Sequence, residues 1–157
     1  TPTATMPVRD PSKRIINIKH RLINPLPDGT KYRMEYKTNT EPVFIANLED
    51  KEFDYLLMCE GEKKSAVAFL TVDSVNMQAV GLPKNPSSEM LQAVKTKHIV
   101  DILDPDVKDS DIERKRMEYL DIDYRVIRLP VKIDDMILQS DITKEDLRGM
   151  IRQARKV

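Results

Sequence analysis

Tyr55-Leu56-Leu57-Met58-Cys59, closed by Glu60-Gly61, is the stretch on which the reading of the fold turns. An unbroken apolar run ended by an acid and a glycine reads as a buried strand entering a tight turn. The pattern recurs twice. His98-Ile99-Val100-Asp101-Ile102-Leu103 runs into Asp104-Pro105-Asp106, and Tyr124-Arg125-Val126-Ile127-Arg128-Leu129-Pro130 is followed by Lys132-Ile133-Asp134-Asp135. Acids at the carboxyl ends of neighbouring parallel strands converge on one rim of a sheet, where open α/β sheets place their sites. Carboxylates gathered there without matching cations repel one another. A hard divalent cation such as Mg2+ relieves that repulsion and prefers oxygen ligands.

Working outward, strand and helix alternate from residue 54. Strands are expected over 54–59, 77–82, 98–103 and 124–129, with helices over 62–72, 87–95, 109–120 and 143–155. Ser87 or Ser88 is the expected N-cap of the second helix, with Glu89 in its first turn. Thr143 with Asp146 three residues on is a capping-box-like start for the last helix. Apolar strands with helices between them predict a mostly parallel sheet covered on both faces. Residues 1–13, with Pro2, Pro7 and Pro11, read as a flexible lead. Residues 14–50 read as a small β-rich extension, with β-like segments at 14–18, 31–36 and 43–46 and a strong turn at Asn24-Pro25-Leu26-Pro27-Asp28-Gly29. Too short to bury a core alone, this extension is expected to lean on the α/β domain at 51–157.

Composition narrows the classes. The 157 residues suit one domain with a core and a small appendage, and 26 Lys and Arg balance 26 Asp and Glu. A net charge of zero does not advertise nucleic-acid binding, although local patches can be basic. The single cysteine, Cys59, rules out an internal disulfide and a Cys-rich zinc site, and it is expected to pack as a small hydrophobe. No apolar stretch spans a membrane and no signal peptide is visible, so the expectation is a cytoplasmic protein without a membrane partner. The chain begins at Thr1, which suggests processing or excision from a larger protein. His20 and His98 are isolated and receive no role. Walker loops, G-x-G-x-x-G, G-x-S-x-G and Cys/His metal boxes do not occur.

Each acidic cluster has two readings. Glu60 projects from a strand end into the crevice, or serves as an acid near a helix N-terminus. Asp104 and Asp106, two apart on a segment held extended by Pro105, are expected to point the same way; the alternative is an Asp-Pro turn. Asp134 and Asp135 are adjacent, so one alone faces the crevice; the alternative is an N-cap pair for a short helix. Asp101, inside its apolar run, is read as a structural acid with a local partner. Lys63, Lys64 and Lys132 are candidates to contact phosphate, as are Lys31, Arg33 and Lys37 in the extension.

In order and spacing these segments resemble toprim domains. Leu56-Leu57-Met58-Cys59-Glu60-Gly61-Glu62-Lys63-Lys64-Ser65-Ala66 resembles the first toprim motif. Gln78-Ala79-Val80-Gly81-Leu82-Pro83 looks like the second strand, and residues 99–106 look like the Asp-x-Asp strand. Residues 125–135 resemble the late strand and acidic turn of toprim domains in phage and plasmid primases. The resemblance covers residues 54–138. It implies a Rossmann-like, mostly parallel four-stranded sheet flanked by helices, and Mg2+- or Mn2+-dependent chemistry on phosphodiesters. It further implies Glu60 as acid/base or metal ligand and Asp104 and Asp106 as holders of metal and nucleoside triphosphate, with Asp134 or Asp135 as an auxiliary acid and metal ligand. The implied activity is primase-like nucleotidyl transfer on DNA or RNA, with a helicase or other replication protein as a further partner. A toprim nuclease, or a degenerate nucleic-acid-binding or assembly module, is the alternative. The chain departs from the pattern where Lys108-Asp109 and Leu82-Pro83-Lys84-Asn85 replace glycine-containing turns, through which a backbone approaches nucleotide or template.

Overall fold

The computed structural model describes residues 3–10, 12–35, 43–139 and 141–157. In chain order its elements are β1 (Thr3–Arg9), β2 (Ile15–Leu22), β3 (Tyr32–Met34), β4 (Phe44–Ala46), β5 (Tyr55–Glu60), α1 (Glu62–Val72), β6 (Met77–Leu82), α2 (Ser88–Ala93), β7 (His98–Leu103), α3 (Asp109–Glu118), β8 (Asp123–Arg128), α4 (Ile133–Leu138), α5 (Lys144–Arg152) and β9 (Arg155–Lys156).

The larger sheet has the order β4-β6-β5-β7-β8-β9. Its inner strands β6, β5, β7 and β8 are parallel, the four-stranded core expected from sequence. An antiparallel strand closes each side, β4 on β6 and β9 on β8. These short additions pair edges that would otherwise present unsatisfied backbone groups. β4 falls within 14–50, yet its hydrogen bonds belong to the larger sheet, so extension and α/β domain share that sheet. β9 also explains why α5 stops at Arg152, short of the expected 155.

Alternating side chains give each face its own core. Leu57 and Cys59 of β5, with Val100 and Ile102 of β7, pack under α1, α4 and α5. Leu56 and Met58, with Ile99, Leu103 and Tyr124, pack under α2 and α3. Burial pushes the Cys59 thiol well above its ordinary pKa, as suits a small hydrophobe. Both expected caps form: the Ser87 hydroxyl accepts from the Met90 N–H, and Thr143 and Asp146 close a capping box. No helix among the described residues is long and apolar enough to cross a membrane.

Residues 3–9 correct the expectation of a flexible lead. They form β1, antiparallel to β2, in a three-stranded sheet with β3. Pro7 is tolerated because β1 is an edge strand, where a missing N–H costs little. Val8 is buried, and the Arg9 and Val43 backbones exchange hydrogen bonds, which ties this sheet to the chain beside β4.

The turn from β5 into α1 rests on β6. Gly61 has φ of 81°, open to glycine and costly for other residues, and its N–H donates to the Leu82 carbonyl at 2.8 Å. A Cβ at Gly81 would stand 2.6 Å from the Gly61 oxygen. Gly81→Ala is therefore expected to destabilise by about 1–3 kcal/mol in urea unfolding. Gly149→Ala, inside α5 with its nearest neighbour 3.9 Å away, is expected to stabilise by about 0.5–1 kcal/mol.

Candidate functional site

Strand order reverses between β5 and β7, since β6 lies on one side of β5 and β7 on the other. The crevice beyond the carboxyl ends of such a pair is where this sheet architecture binds ligands. Glu60 is the last residue of β5 and Asp104 follows the last residue of β7. The register pairs Cys59 with Ile102, so the two acids emerge at neighbouring levels of the rim.

Asp104 and Asp106 do not point the same way. The Val107 N–H donates to the Asp104 carbonyl at 3.1 Å, which closes a turn with Pro105 at its second position. The segment is the Asp-Pro turn, and its curvature splits the two acids. The Asp104 side chain is 5% exposed and paired with Lys64, whereas that of Asp106 is 62% exposed and paired with Lys84 at 3.0 Å. They meet again through charge. Lys84 is held above its ordinary pKa by the hydrogen bond from its ammonium to Asp106, then by the charges of Asp106, Glu60 and Asp104. The same hydrogen bond holds Asp106 below the usual carboxylate range. Sequence reasoning missed Lys84. Its signal is position: it follows β6 as Glu60 closes β5 and Asp104 follows β7.

Asp134 and Asp135 lie in the first turn of the short helix α4. Asp135 is exposed, while Asp134 is buried against Lys63, with Nζ and Oδ2 2.8 Å apart. Burial raises the Asp134 pKa, but the Lys63 hydrogen bond and charge, with the Lys64 charge, outweigh it and hold the carboxyl below its ordinary value. Its Oδ1 is buried without a hydrogen-bond partner among the described residues.

Glu60, Lys63, Lys64, Lys84, Lys132, Asp134 and Asp135 line one cleft of about 460 Å3, whose other wall is Lys19, Arg21, Lys31 and Tyr32. Glu60 and Lys84 also border a small cavity of about 30 Å3 that reaches Asp104 and Asp101. Arg33 is exposed on β3, and Lys37 lies outside the described residues. Lys19 reaches Glu62 at 2.6 Å, joining the small sheet to α1, and its ammonium lies 4.3 Å from the Tyr32 ring centre. Neither Lys19 nor Arg21 was singled out from the sequence, because nothing local places β2 opposite α1.

Asp101 is the structural acid expected. It is buried, bonded to Lys115 at 2.7 Å, and it accepts from the Tyr124 hydroxyl at 2.8 Å.

An all-carboxylate donor set suits a hard divalent cation. Glu60, Asp104 and Asp106 are the residues expected from the sequence to hold Mg2+ or Mn2+; an ion held there would supply Lewis-acid stabilisation of charge on phosphoryl oxygens, but Asp104 and Asp106 are turned apart onto different lysines. Among the described residues, no three His, Cys, Asp or Glu side chains are already gathered around one point; lysines hold three of the acids.

No protein-family model matches the sequence, and no curated protein is significantly similar to it. Solved structures are similar in fold. The zinc-binding and RNA polymerase domains of Aquifex aeolicus primase match at 20% identity and a TM-score of 0.77, over 99% of this chain and 41% of that one. The Escherichia coli primase catalytic core matches at 20% identity and a TM-score of 0.71, over 98% of this chain and 53% of that one. A chain of the bacteriophage T7 complex of lagging-strand DNA polymerase with primase domains, an RNA/DNA hybrid and dTTP matches at 15% identity and a TM-score of 0.68, over 99% and 79%. The chain has the fold of primase catalytic cores. It spans about half the length of the bacterial primase chains it matches.

Two outcomes separate structural from rim acids. Lys115→Met strands a buried carboxylate and is expected to cost roughly 3 kcal/mol in denaturant unfolding, with Asp101→Asn costing less because Tyr124 keeps a partner. For Asp134, a depressed folded pKa means its contribution is complete above the unfolded carboxylate pKa of about 4 and is lost as pH falls through the folded value. Acid unfolding of Asp134→Asn should therefore show a shallower loss of stability below that pH than the wild type.

Proposed function

We propose that this domain performs primase-like, metal-dependent nucleotidyl transfer in DNA replication. The observation that supports the reading is Glu60 at the end of β5, lining a cleft whose far wall is basic, with Asp104 directly after the neighbouring strand β7. In this reading Asp104 and Asp106 hold the metal and orient a nucleoside triphosphate, with Glu60 as proton acceptor or added ligand. Lys63, Lys64, Lys84 and Lys132 neutralise triphosphate oxygens. Lys19, Arg21 and Lys31 follow a DNA or RNA backbone, a sequence-independent contact. Asp134 orients Lys63, and Asp135, at the cleft mouth, is the auxiliary acid. Residues 14–50 then form the template wall and 51–157 the catalytic α/β part. A helicase or other replication protein is the expected partner, in a cytoplasmic phage or plasmid replication system.

A nucleic-acid-binding module is the second reading, favoured by the lysines that engage Asp104, Asp106 and Asp134. Incorporation of labelled nucleotides on single-stranded DNA with Mg2+, alongside anisotropy with a labelled oligonucleotide, separates the two. Synthesis that falls by roughly 100-fold or more in Glu60→Gln supports the primase reading. Binding without synthesis supports the module, and shortening of the template identifies a nuclease. Neither binding nor synthesis in the wild type overturns all three.

A further inference from the structure

Asp104 and Asp134 are buried carboxylates, and the chain itself neutralises both. Burying an ionised carboxylate is costly unless an opposite charge comes with it. At Asp104 that charge is the Lys64 ammonium, itself mostly covered, with 13% of its side chain exposed. Lys64 stands in the first turn of α1, directly after the glycine turn, so the β5–α1 geometry delivers it to the crevice. The ammonium thus engages Oδ2 of Asp104, one of the two oxygens this carboxylate could offer a metal ion. The rim nevertheless keeps spare acceptor capacity. Asp134 holds Lys63 with Oδ2 while its Oδ1 is buried without a hydrogen-bond partner among the described residues.

We infer that Lys64 is a resident counterion of Asp104 that competes with a divalent cation for this carboxylate, so that metal enters only as the ammonium leaves. The inference rests on the reading of the rim as a metal-handling site and concerns how this chain sets its affinity. Exchange of one charge for another leaves Asp104 compensated throughout, whereas loss of Lys64 leaves a buried anion that only an external cation satisfies.

The test is calorimetric titration of Mn2+ into the wild type, Lys64→Met and Lys64→Arg, with thermal unfolding recorded for each. Lys64→Met is expected to bind Mn2+ at least tenfold more tightly than the wild type. Lys64→Arg, which keeps the charge, is expected to show no gain, and Asp104→Asn added to Lys64→Met is expected to abolish it. Equal or weaker binding in Lys64→Met overturns the inference. If that variant fails to fold, nitrogen NMR of the wild-type lysine ammonium groups decides. The Lys64 signal is expected to disappear as Mg2+ shifts the Glu60 and Asp106 carboxylate resonances, and its persistence through that shift overturns the inference. A metal gain in Lys64→Met combined with absent nucleotide incorporation leaves the counterion in place and removes the primase reading alone.

Discussion

The contact between the Gly61 carbonyl and Gly81 sets the geometry of everything above the sheet. With no Cβ on β6 at that point, the β5–α1 turn lies directly on the neighbouring strand. That seat brings Glu60 to the crevice and starts α1 at Glu62, over the rim. Lys63 and Lys64 then occupy the first turn of a helix, whose positive end disfavours cations. Asp104 and Asp134 resolve the conflict by meeting those ammonium groups, and Glu62, the acid the helix end does favour, reaches across to Lys19. One backbone approach thereby fixes a chain of charges that runs from the small sheet to α4.

Strand β7 shows that similar charge chemistry serves two purposes three residues apart. Asp101 faces the α2/α3 side, sealed by Lys115 and Tyr124, with the Tyr119 ring 5.3 Å from that of Tyr124. A buried pair of this kind is weak evidence for stability, since apolar residues of equal volume can do as well. Its value is in specifying one arrangement of α3 on the sheet. Asp104 differs because it follows the end of β7 at the crevice rim, beside the strand that ends in Glu60. The distinction lies in position along the strand, since the two lysines are about equally covered.

Much of this architecture is legible in the sequence because the period and the punctuation agree. Apolar runs of strand length, separated by helix-length polar segments with Ser87 and Thr143 as caps, admit few arrangements besides a covered parallel sheet. The position of Glu60 at a strand end followed from the glycine after it. Three features were not legible. β1 was hidden by its prolines, because a proline-bearing edge strand looks like a loop when its partner is unknown. The split of Asp104 and Asp106 depends on whether Asp-Pro-Asp turns or runs straight, which hydrogen bonding to Val107 decides after the strand has ended. Lys19, Arg21 and Lys84 reach the site from elements far apart in sequence, and no spacing rule connects them.

A formal net charge of zero conceals this arrangement. The cleft is lined by seven lysine and arginine side chains and four carboxylates, so the balance of the whole chain is broken locally in favour of positive charge. That imbalance exists only because the small sheet is docked: Lys19, Arg21, Lys31 and Tyr32 form its wall, held by the Lys19–Glu62 pair and by the Arg9–Val43 backbone bonds. Remove that wall and the remaining rim, where lysines hold Asp104, Asp106 and Asp134, is a nearly neutral surface. The small sheet, which the sequence presents as an appendage, therefore gives the crevice its sign.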